Sequence, residues 1–319
     1  MRVAILGSGS LGSLYAALLS RIKSIELLVH GRGSHGAHMA AEGLRLVGES
    51  EGFVSNGDVF FSLDEVGLPP VARGTMDYVI LTGKADQTPF LASLARQLLT
   101  ADGYALCLSN GLGHAEKCQD SLGPHRVFAA TSTHGAWRPS AGTVHWAGRG
   151  ETVIGALPGG PGQSEAQPLL DVFEQAGLSP RWSSDGVASV WRKVLLNIAI
   201  NPIAALAGVE NGELLRPDLF SSAFSTMLEG ASVARQERVV LPSDAELEEQ
   251  LRQVLLATSS NMCSMLQDLR NGRKTEISVL NQAIVERGER AGLATPLNQM
   301  LRCLRHPKVA GSSPAPGTT

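Results

Sequence analysis

Residues 2–19 have the sequence RVAILGSGSLGSLYAALL, and the expected architecture of the first half of the chain follows from them. Arg2 to Leu6 form a short run of β-branched and aliphatic residues, which is typical of a buried strand. The glycines of GSGSLG follow at positions 7, 9 and 12. After them, leucines and a tyrosine recur at helical spacing. We therefore expect a strand, a glycine-rich turn and a helix, in this order.

This order is the dinucleotide-binding arrangement of an α/β Rossmann-type domain. In it, Gly7 permits the tight turn, Gly9 lets the backbone approach a pyrophosphate, and Gly12 lets the helix pack closely on the strand. The free N–H groups of the helix N-terminus then face the phosphates. A glycine-rich turn without a ligand is the alternative. The predicted cofactor-binding residues of this loop are Gly7, Ser8, Gly9, Ser10, Leu11 and Gly12.

The next predicted strand is IELLVHG, residues 25–31. An NAD-specific site normally has an acidic residue near the end of this strand, where it bonds the ribose 2′-hydroxyl. Here the strand ends in His30 and Gly31, and Arg32 follows. Because a guanidinium suits a 2′-phosphate, Arg32 favours NADPH as the cofactor. The alternative is that Arg32 is a solvated loop residue.

Polar residues follow two further predicted strands. Lys84 comes after MDYVIL, residues 76–81, and Asn110 comes after YALCL, residues 104–108. Ligands of a parallel sheet lie beyond the carboxyl ends of its strands, so both side chains are expected near a cofactor or substrate. Each could also be an ordinary loop residue. Strand-like segments continue between residues 126 and 184, among them GTVHWAG at residues 142–148, and we expect them to complete the same sheet with some antiparallel strands.

From about residue 186 onward, strand signals nearly vanish and apolar residues recur at helical spacing, which predicts an all-α domain. SDAE at residues 243–246 is a capping box, and Thr295 followed by Pro296 marks another helix start. We therefore expect an NADP-binding domain over residues 1–184 and a helical substrate domain over residues 185–305. The tail over residues 306–319 is rich in Pro, Gly, Ser and Thr, which predicts disorder.

The segment WRKVLLNIAINP, residues 191–202, has three polar side chains in an otherwise apolar helix. Lys193, Asn197 and Asn201 are four residues apart. Each step of four drifts by only ~40°, so they line one helical face over about 12 Å. Burying an ammonium and two amides without partners is costly, which predicts polar neighbours, water or a polar ligand along this row. Pro202 should bend or end the helix at Asn201.

A second set of polar residues occurs in SNMCSMLQDLRNGRKTEI, residues 260–277. Asn261, Ser264 and Asp268 are spaced by three and four residues, which predicts that they share one face of a helix. Glu276 follows them. A solvated helix face is the alternative interpretation, since carboxylates are usually exposed.

Composition limits the partners of the chain. It has 319 residues, a net charge of −3 and no long charged run, so neither nucleic acid nor a membrane is expected as a partner. The cysteines show no CxxC pair and no metal-ligand spacing, so no metal site is expected. We predict buried thiols in a reducing, cytoplasmic compartment. These cysteines are Cys107, Cys118, Cys263 and Cys303.

Taken together, the motifs resemble those of the ketopantoate reductases (2-dehydropantoate 2-reductases). The resemblance extends to about residue 304 and rests on GSGSLG, KADQ, SNGLG, WRKVLLNIAINPIAAL, NGELL and SSNMCSMLQDLRNGRKTEI. It implies a Rossmann-type domain followed by an all-α domain of the 6-phosphogluconate dehydrogenase type. It also implies NADPH-dependent reduction of 2-dehydropantoate to pantoate, a step of pantothenate biosynthesis.

The resemblance further implies roles for particular residues. Lys193 would be the proton donor, and the carboxylate of Glu276 would help to keep it charged, which makes both catalytic candidates. Outside the glycine loop and Arg32, the implied cofactor-binding residues are Lys84, Asn110, Ala136 through its backbone, and Glu276. The expected substrate-binding residues are Asn110, Lys193, Asn197, Asn201, Asn211, Asn261 and Ser264.

Two other functions stay open at this point. The first is reduction of a different small-molecule 2-oxo acid, because the contacts to the substrate side chain are not visible in the sequence. The second is a regulator that senses NADP(H) without turnover, although such a protein would need neither Lys193 nor Glu276. The oligomeric state is also open, and a homodimer is one option.

Overall fold

The computed structural model describes residues 1–64 and 67–302. Cys303 and the predicted tail over residues 306–319 lie outside the described residues. The chain divides into two compact units, Met1–Val190 and Trp191–Thr319. The boundary expected from the sequence, after residue 184, falls six residues earlier than this division.

Two sheets and the helices around them make up the first unit. The strands are β1 (Arg2–Leu6), β2 (Glu26–Gly31), β3 (Leu44–Gly48), β4 (Gly52–Val54), β5 (Phe60–Leu63), β6 (Met76–Leu81), β7 (Leu99–Leu108), β8 (Val127–Ser132), β9 (Gly135–Trp137), β10 (Thr143–Gly148), β11 (Thr152–Gly155) and β12 (Pro180–Ser183). The helices are α1 (Ser10–Leu19), α2 (Gly33–Glu42), α3 (Thr88–Leu98), α4 (His114–Leu122) and α5 (Gln163–Gln175).

The larger sheet has the strand order β12-β11-β8-β7-β6-β1-β2-β5. Neighbouring strands are parallel except β11, which is antiparallel to β8. The central strands are buried on both faces. In β1, Val3 and Ile5 join the core that contains α1 and α5, whereas Ala4 and Leu6 join the core that contains α3. This confirms the predicted Rossmann-type α/β domain.

One predicted strand lies in a different sheet. β10 pairs with β3 and β9, and β4 completes a second sheet in the order β4-β3-β10-β9. The expectation that residues 142–148 belong to the main sheet is therefore wrong. The physical reason is α1, in which Gly12 to Leu19 are all buried. Because these eight residues are buried on every side of the helix, α1 packs on β1 and β2 and also against the strands of the second sheet.

The described part of the second unit is helical, as predicted. α6 (Gly186–Ala207) begins before the division of the chain and continues past it, and α7 (Pro217–Gln236), α8 (Asp244–Ala257), α9 (Ser264–Arg270), α10 (Asn281–Ala291) and α11 (Pro296–Leu301) follow. Ser243 caps α8: Glu246 N donates to Ser243 Oγ, and Ser243 N donates to the Glu246 carboxylate at 2.8 Å. This confirms the predicted capping box. Thr295 is the N-cap residue of α11, also as predicted.

α6 is long and apolar enough to cross a membrane by length and composition, and it is the one such helix among the described residues. Most of its apolar window is buried inside the protein, which is typical of a core helix. Of the cysteines, Cys107, Cys118 and Cys263 are buried thiols, as predicted.

Helix α6 continues past Pro202 without ending. Proline has no N–H to donate to Ile198 O, the carbonyl four residues earlier. Asn281 of α10 takes its place: Nδ2 lies 3.3 Å from Ile198 O and 2.9 Å from Asn298 Oδ1. Asn281 and Asn298 are fully buried. Of the predicted bend or end of the helix at Asn201, the end is therefore wrong, because a distant buried amide satisfies the carbonyl that Pro202 leaves open, and the bend stays a prediction.

We expect Asn281→Ala to lower the free energy of unfolding by about 2 kcal/mol, since it removes the donor to two buried oxygens, Ile198 O and Asn298 Oδ1. Urea denaturation measures this loss. Gln253→Ala is the control, because Gln253 is exposed and bonds only along its own helix to Glu249. In a Pro202→Ala background, position 202 regains an N–H for Ile198 O, so the loss should be smaller. An equal loss in both backgrounds would contradict this role for Asn281.

Candidate functional site

Four neighbouring parallel strands of the main sheet carry predicted cofactor residues at their carboxyl ends. In spatial order these strands are β7, β6, β1 and β2. Asn110 follows β7 and Lys84 follows β6. The loop Gly7–Gly12 leads from β1 into α1, and Arg32 follows β2. The first unit thus brings these residues to one edge of the sheet, the edge at which open α/β sheets bind ligands.

Hydrogen bonds tie these strand ends to one another. Gly7 N donates to His30 O at 3.1 Å, which links the end of β1 to the end of β2. The Thr82 hydroxyl donates to Gly7 O, which links β6 to the glycine loop. Ser109 Oγ donates to Gly83 O at 3.2 Å, which links β7 to β6. The loops that carry the predicted ligands are therefore held on the sheet by bonds independent of any ligand.

The glycine loop is closed on one side and open on the other. A Cβ on Gly12 would lie 2.0 Å from Gly7 O, and Gly7 itself has a φ of +102° that disfavours other residues. A Cβ on Gly9, the N-cap residue of α1, would meet no atom within 4 Å. The loop therefore leaves free space in front of the helix N-terminus, which fits the pyrophosphate of a dinucleotide.

The carboxylate at the end of β2 does not belong to β2 itself. It belongs to Asp64, which directly follows the neighbouring strand β5. The buried His30 ring has Nε2 2.6 Å from Asp64 Oδ1 and Nδ1 2.6 Å from Ser62 Oγ. Asp64 is thus engaged with His30. Arg32 is the N-cap residue of α2 and is exposed, so its guanidinium can meet a ligand at this end of the sheet.

His114 belongs to the same region and was missed in the sequence. It begins α4 directly after SNGLG, and its Nδ1 lies 2.8 Å from Thr88 Oγ1 at the start of α3. Burial lowers the pKa of His114 to about 4, and a bond with the Asn110 backbone acts in the opposite direction. A neutral imidazole therefore holds the Asn110 loop. Only its place next to SNGLG could have indicated this role.

Ala136 lies in β9 of the second sheet, opposite Trp146 of β10. Two residues further, Arg138 Nη1 is 3.5 Å from Ser8 O. This bond brings the end of β9 to the glycine loop, and α1 packs against the same strand. The predicted ligand Ala136 is therefore close in the chain to a residue that contacts the loop. Arg138 was not identified from the sequence, because nothing local links residue 138 to residue 8.

In the second unit, α6 presents the predicted polar row. Lys193 and Asn197 are partly buried and Asn201 is buried, all on one continuous helix. Burial lowers the pKa of Lys193 to about 8, and the negative charge of Glu276 opposes this shift. A carboxylate therefore lies close enough to the ammonium to stabilise its charged form. Glu276 immediately precedes the short 3₁₀ turn Ile277–Val279.

One contact joins the segment of Ser264 to the row, and another pairs Asn211 with Asn261. Cys263 Sγ lies 3.4 Å from Asn201 O, which places Ser264, the first residue of α9, beside the end of the row. Asn211 is buried, and its N–H donates to Asn261 O at 2.9 Å.

One expectation about this segment is wrong. Asn261 precedes α9, which begins at Ser264 with Cys263 as its N-cap residue, so Asn261 does not share a helical face with Ser264 and Asp268. The physical reason is pairing: the Asn261 carbonyl accepts the N–H of Asn211, and its own N–H donates to Thr258 O at 2.8 Å.

Two family models match the chain. The model described as "Ketopantoate reductase PanE/ApbA" matches residues 3–159, and the one described as "Ketopantoate reductase PanE/ApbA C terminal" matches residues 186–308. The curated 2-dehydropantoate 2-reductase of Pyrococcus horikoshii is 32% identical over 305 residues, 95% of this chain and 96% of the relative. The Halobacterium salinarum protein of the same name is 34% identical over 304 residues, 94% of this chain and 96% of that relative.

Solved structures share the fold of this chain. The crystal structure of a PanE/ApbA family ketopantoate reductase from Ralstonia eutropha JMP134 is 30% identical, with a TM-score of 0.82 over 95% of this chain and 97% of that one. A ternary structure of D-mandelate dehydrogenase with NADH and anilino(oxo)acetate is 25% identical, with a TM-score of 0.85 over the same shares. On the family models, the identities and the shared fold, the chain belongs to the ketopantoate reductase family.

Proposed function

We propose that the protein reduces 2-dehydropantoate to pantoate with NADPH. The observation that carries this proposal is the row on α6, in which a partly buried ammonium lies near a carboxylate and is followed by two amides on the same helical face. Relatives from Pyrococcus and Halobacterium that match nearly the whole chain have this activity in their names.

The chemistry of the row suits reduction of a ketone. A reduced nicotinamide, when bound, would supply the hydride. Negative charge then builds on the ketone oxygen, and the Lys193 ammonium can both stabilise that charge and donate the proton that completes the hydroxyl. Glu276 favours the ammonium over the neutral amine and so keeps the proton available.

The amides suit the rest of the substrate. 2-Dehydropantoate has a carboxylate and a terminal hydroxyl besides its ketone, so it needs several separate polar contacts. Asn197 and Asn201 each offer amide donors and one acceptor, and Asn211 and Ser264 add further polar groups in the same unit. We assign these four residues to the substrate and Lys193 to the reacting oxygen.

The cofactor assignment depends on Arg32. NADPH differs from NADH by a 2′-phosphate, and an exposed guanidinium at the N-cap of α2 suits that group. We expect a higher kcat/KM with NADPH than with NADH, and Arg32→Ala should raise the KM for NADPH while leaving the value for NADH nearly unchanged. Steady-state kinetics with both cofactors tests this. Equal losses with the two cofactors would show that Arg32 serves the structure rather than the 2′-phosphate.

Substrate choice can be tested with analogues. A buried site that bonds a hydroxyl should reject a molecule without it, since its own polar groups are then left unpaired. We therefore expect a much lower kcat/KM for 2-oxoisovalerate, which lacks the hydroxymethyl group, than for 2-dehydropantoate. Phenylglyoxylate is the third substrate, because of the similarity in fold to D-mandelate dehydrogenase. If either analogue equals 2-dehydropantoate, the protein is a reductase for a different 2-oxo acid.

The proton donor predicts a pH dependence. Only the ammonium form of Lys193 donates a proton, so kcat/KM for reduction, which reports the pKa of the free enzyme, should fall as the pH rises through about 8. Glu276→Gln removes the charge that favours the ammonium, so kcat/KM should begin to fall at a lower pH. Glu286→Gln on α10 makes the same change in net charge and should not change the pH at which kcat/KM falls.

Lys193→Ala tests the residue directly. We expect it to fold, to bind NADPH and to lose ~10²-fold or more in kcat, as is usual for a general acid. Fluorescence titration with NADPH separates binding from turnover in all three variants. Turnover at the level of the unmodified protein in Lys193→Ala would remove this residue from the mechanism.

A further inference from the structure

Arg138 directly follows β9 and is partly buried. Its Nη1 is 3.5 Å from Ser8 O, the carbonyl of the second residue of the glycine loop. Ser13 Oγ of α1 donates to the same carbonyl at 3.2 Å. Ser8 O therefore accepts two hydrogen bonds, and the Arg138 guanidinium lies against the loop on the side at which α1 begins.

A chain of hydrogen bonds connects this point to α2. Gly142 N donates to His35 Nδ1 at 3.0 Å, so the proton of the ring is on Nε2, which donates to Ser13 Oγ at 2.9 Å. His35 is buried in the first turn of α2. Burial lowers the pKa of His35 to about 4, and the positive charge of Arg138 acts in the same direction. The imidazole is therefore neutral, and the positive charge in this cluster is that of Arg138.

The position of the cluster indicates its ligand. α2 begins where β2 ends, and dinucleotide-binding folds recognise the 2′ position of the adenosine ribose at that strand end. Arg32 is at the N-cap of α2, and Arg138 lies close to the first turn of the same helix. A phosphate dianion is bound best by more than one cation, and a planar guanidinium can give it two parallel N–H bonds.

We propose that Arg138 is a second ligand of the 2′-phosphate of NADPH and acts together with Arg32. This inference rests on the proposed NADPH-dependent function and assigns part of the cofactor specificity to the second sheet. The His35 chain holds Ser8 O, and the bond to Ser8 O places the guanidinium at the glycine loop, so its bonds to a phosphate would require little further ordering. Arg32, which is exposed at the N-cap of α2, would bind the same phosphate from that helix.

The experiment compares two ligands that differ only in the phosphate concerned, adenosine 2′,5′-bisphosphate and adenosine 5′-monophosphate. Calorimetric titration measures the dissociation constant of each, without any dependence on substrate or turnover. Arg138→Gln should weaken binding of the bisphosphate by about 10-fold or more, the usual cost of losing a hydrogen bond to a charged group, and should leave the monophosphate unchanged. Arg138→Lys keeps the charge but loses the fork of N–H groups, so its loss should be intermediate.

Arg149→Gln is the matched control. Arg149 follows the second sheet as well, but it lies over Trp146 and pairs with Glu49, so removing its charge should affect neither ligand. Melting temperatures of all variants separate loss of binding from loss of folding, and Arg138→Lys keeps the test valid if Arg138→Gln does not fold.

Two results would overturn the inference: an equal loss for both ligands, which would assign Arg138 to the pyrophosphate or the loop, or no loss for either. A different result would overturn the proposed cofactor instead. If the unmodified protein binds both ligands equally well, the preference for NADPH itself fails, whatever Arg138 does.

Discussion

The close contact between α1 and β1 is the constraint on which the first unit depends. No side chain fits at Gly12, because its Cβ would meet the carbonyl of Gly7. The helix can therefore lie directly on the sheet, and Gly12 to Leu19 are buried around its whole circumference. A second sheet then has to cover the side of α1 that the main sheet leaves open. That cover brings the end of β9, with Ala136 and Arg138, to the glycine loop.

The features that the sequence predicted best are those encoded by residues close to one another in the chain. The strand, glycine loop and helix at residues 2–19 have a signature within one short segment, and so does the capping box at Ser243. The polar row on α6 was also visible, since three polar residues at a spacing of four stand out against apolar neighbours. In each case the physical cause and its consequence lie within a few residues of each other.

The remaining features depend on partners that are distant in the chain. β10 pairs with β3, about a hundred residues earlier, so its sheet could not be assigned from its own sequence. Pro202 predicts a bend or an end of the helix, but α6 continues because Asn281 supplies the missing donor from 79 positions later. Asn261 fits a helical spacing, but pairing with Asn211 determines its conformation. His35 and Arg138 have no local signal at all.

Lys193 also affects the stability of the fold. Its pKa is about 8 in the folded protein against an ordinary value of 10.5, so the folded state binds this proton more weakly than the unfolded state does. Below about pH 8 both states are protonated and the folded chain carries the full penalty of the buried ammonium, on the order of 3 kcal/mol. The penalty shrinks as the pH rises from about 8 to 10.5. The proton that the proposed reaction uses is therefore present in the pH range in which the buried ammonium weakens the fold most.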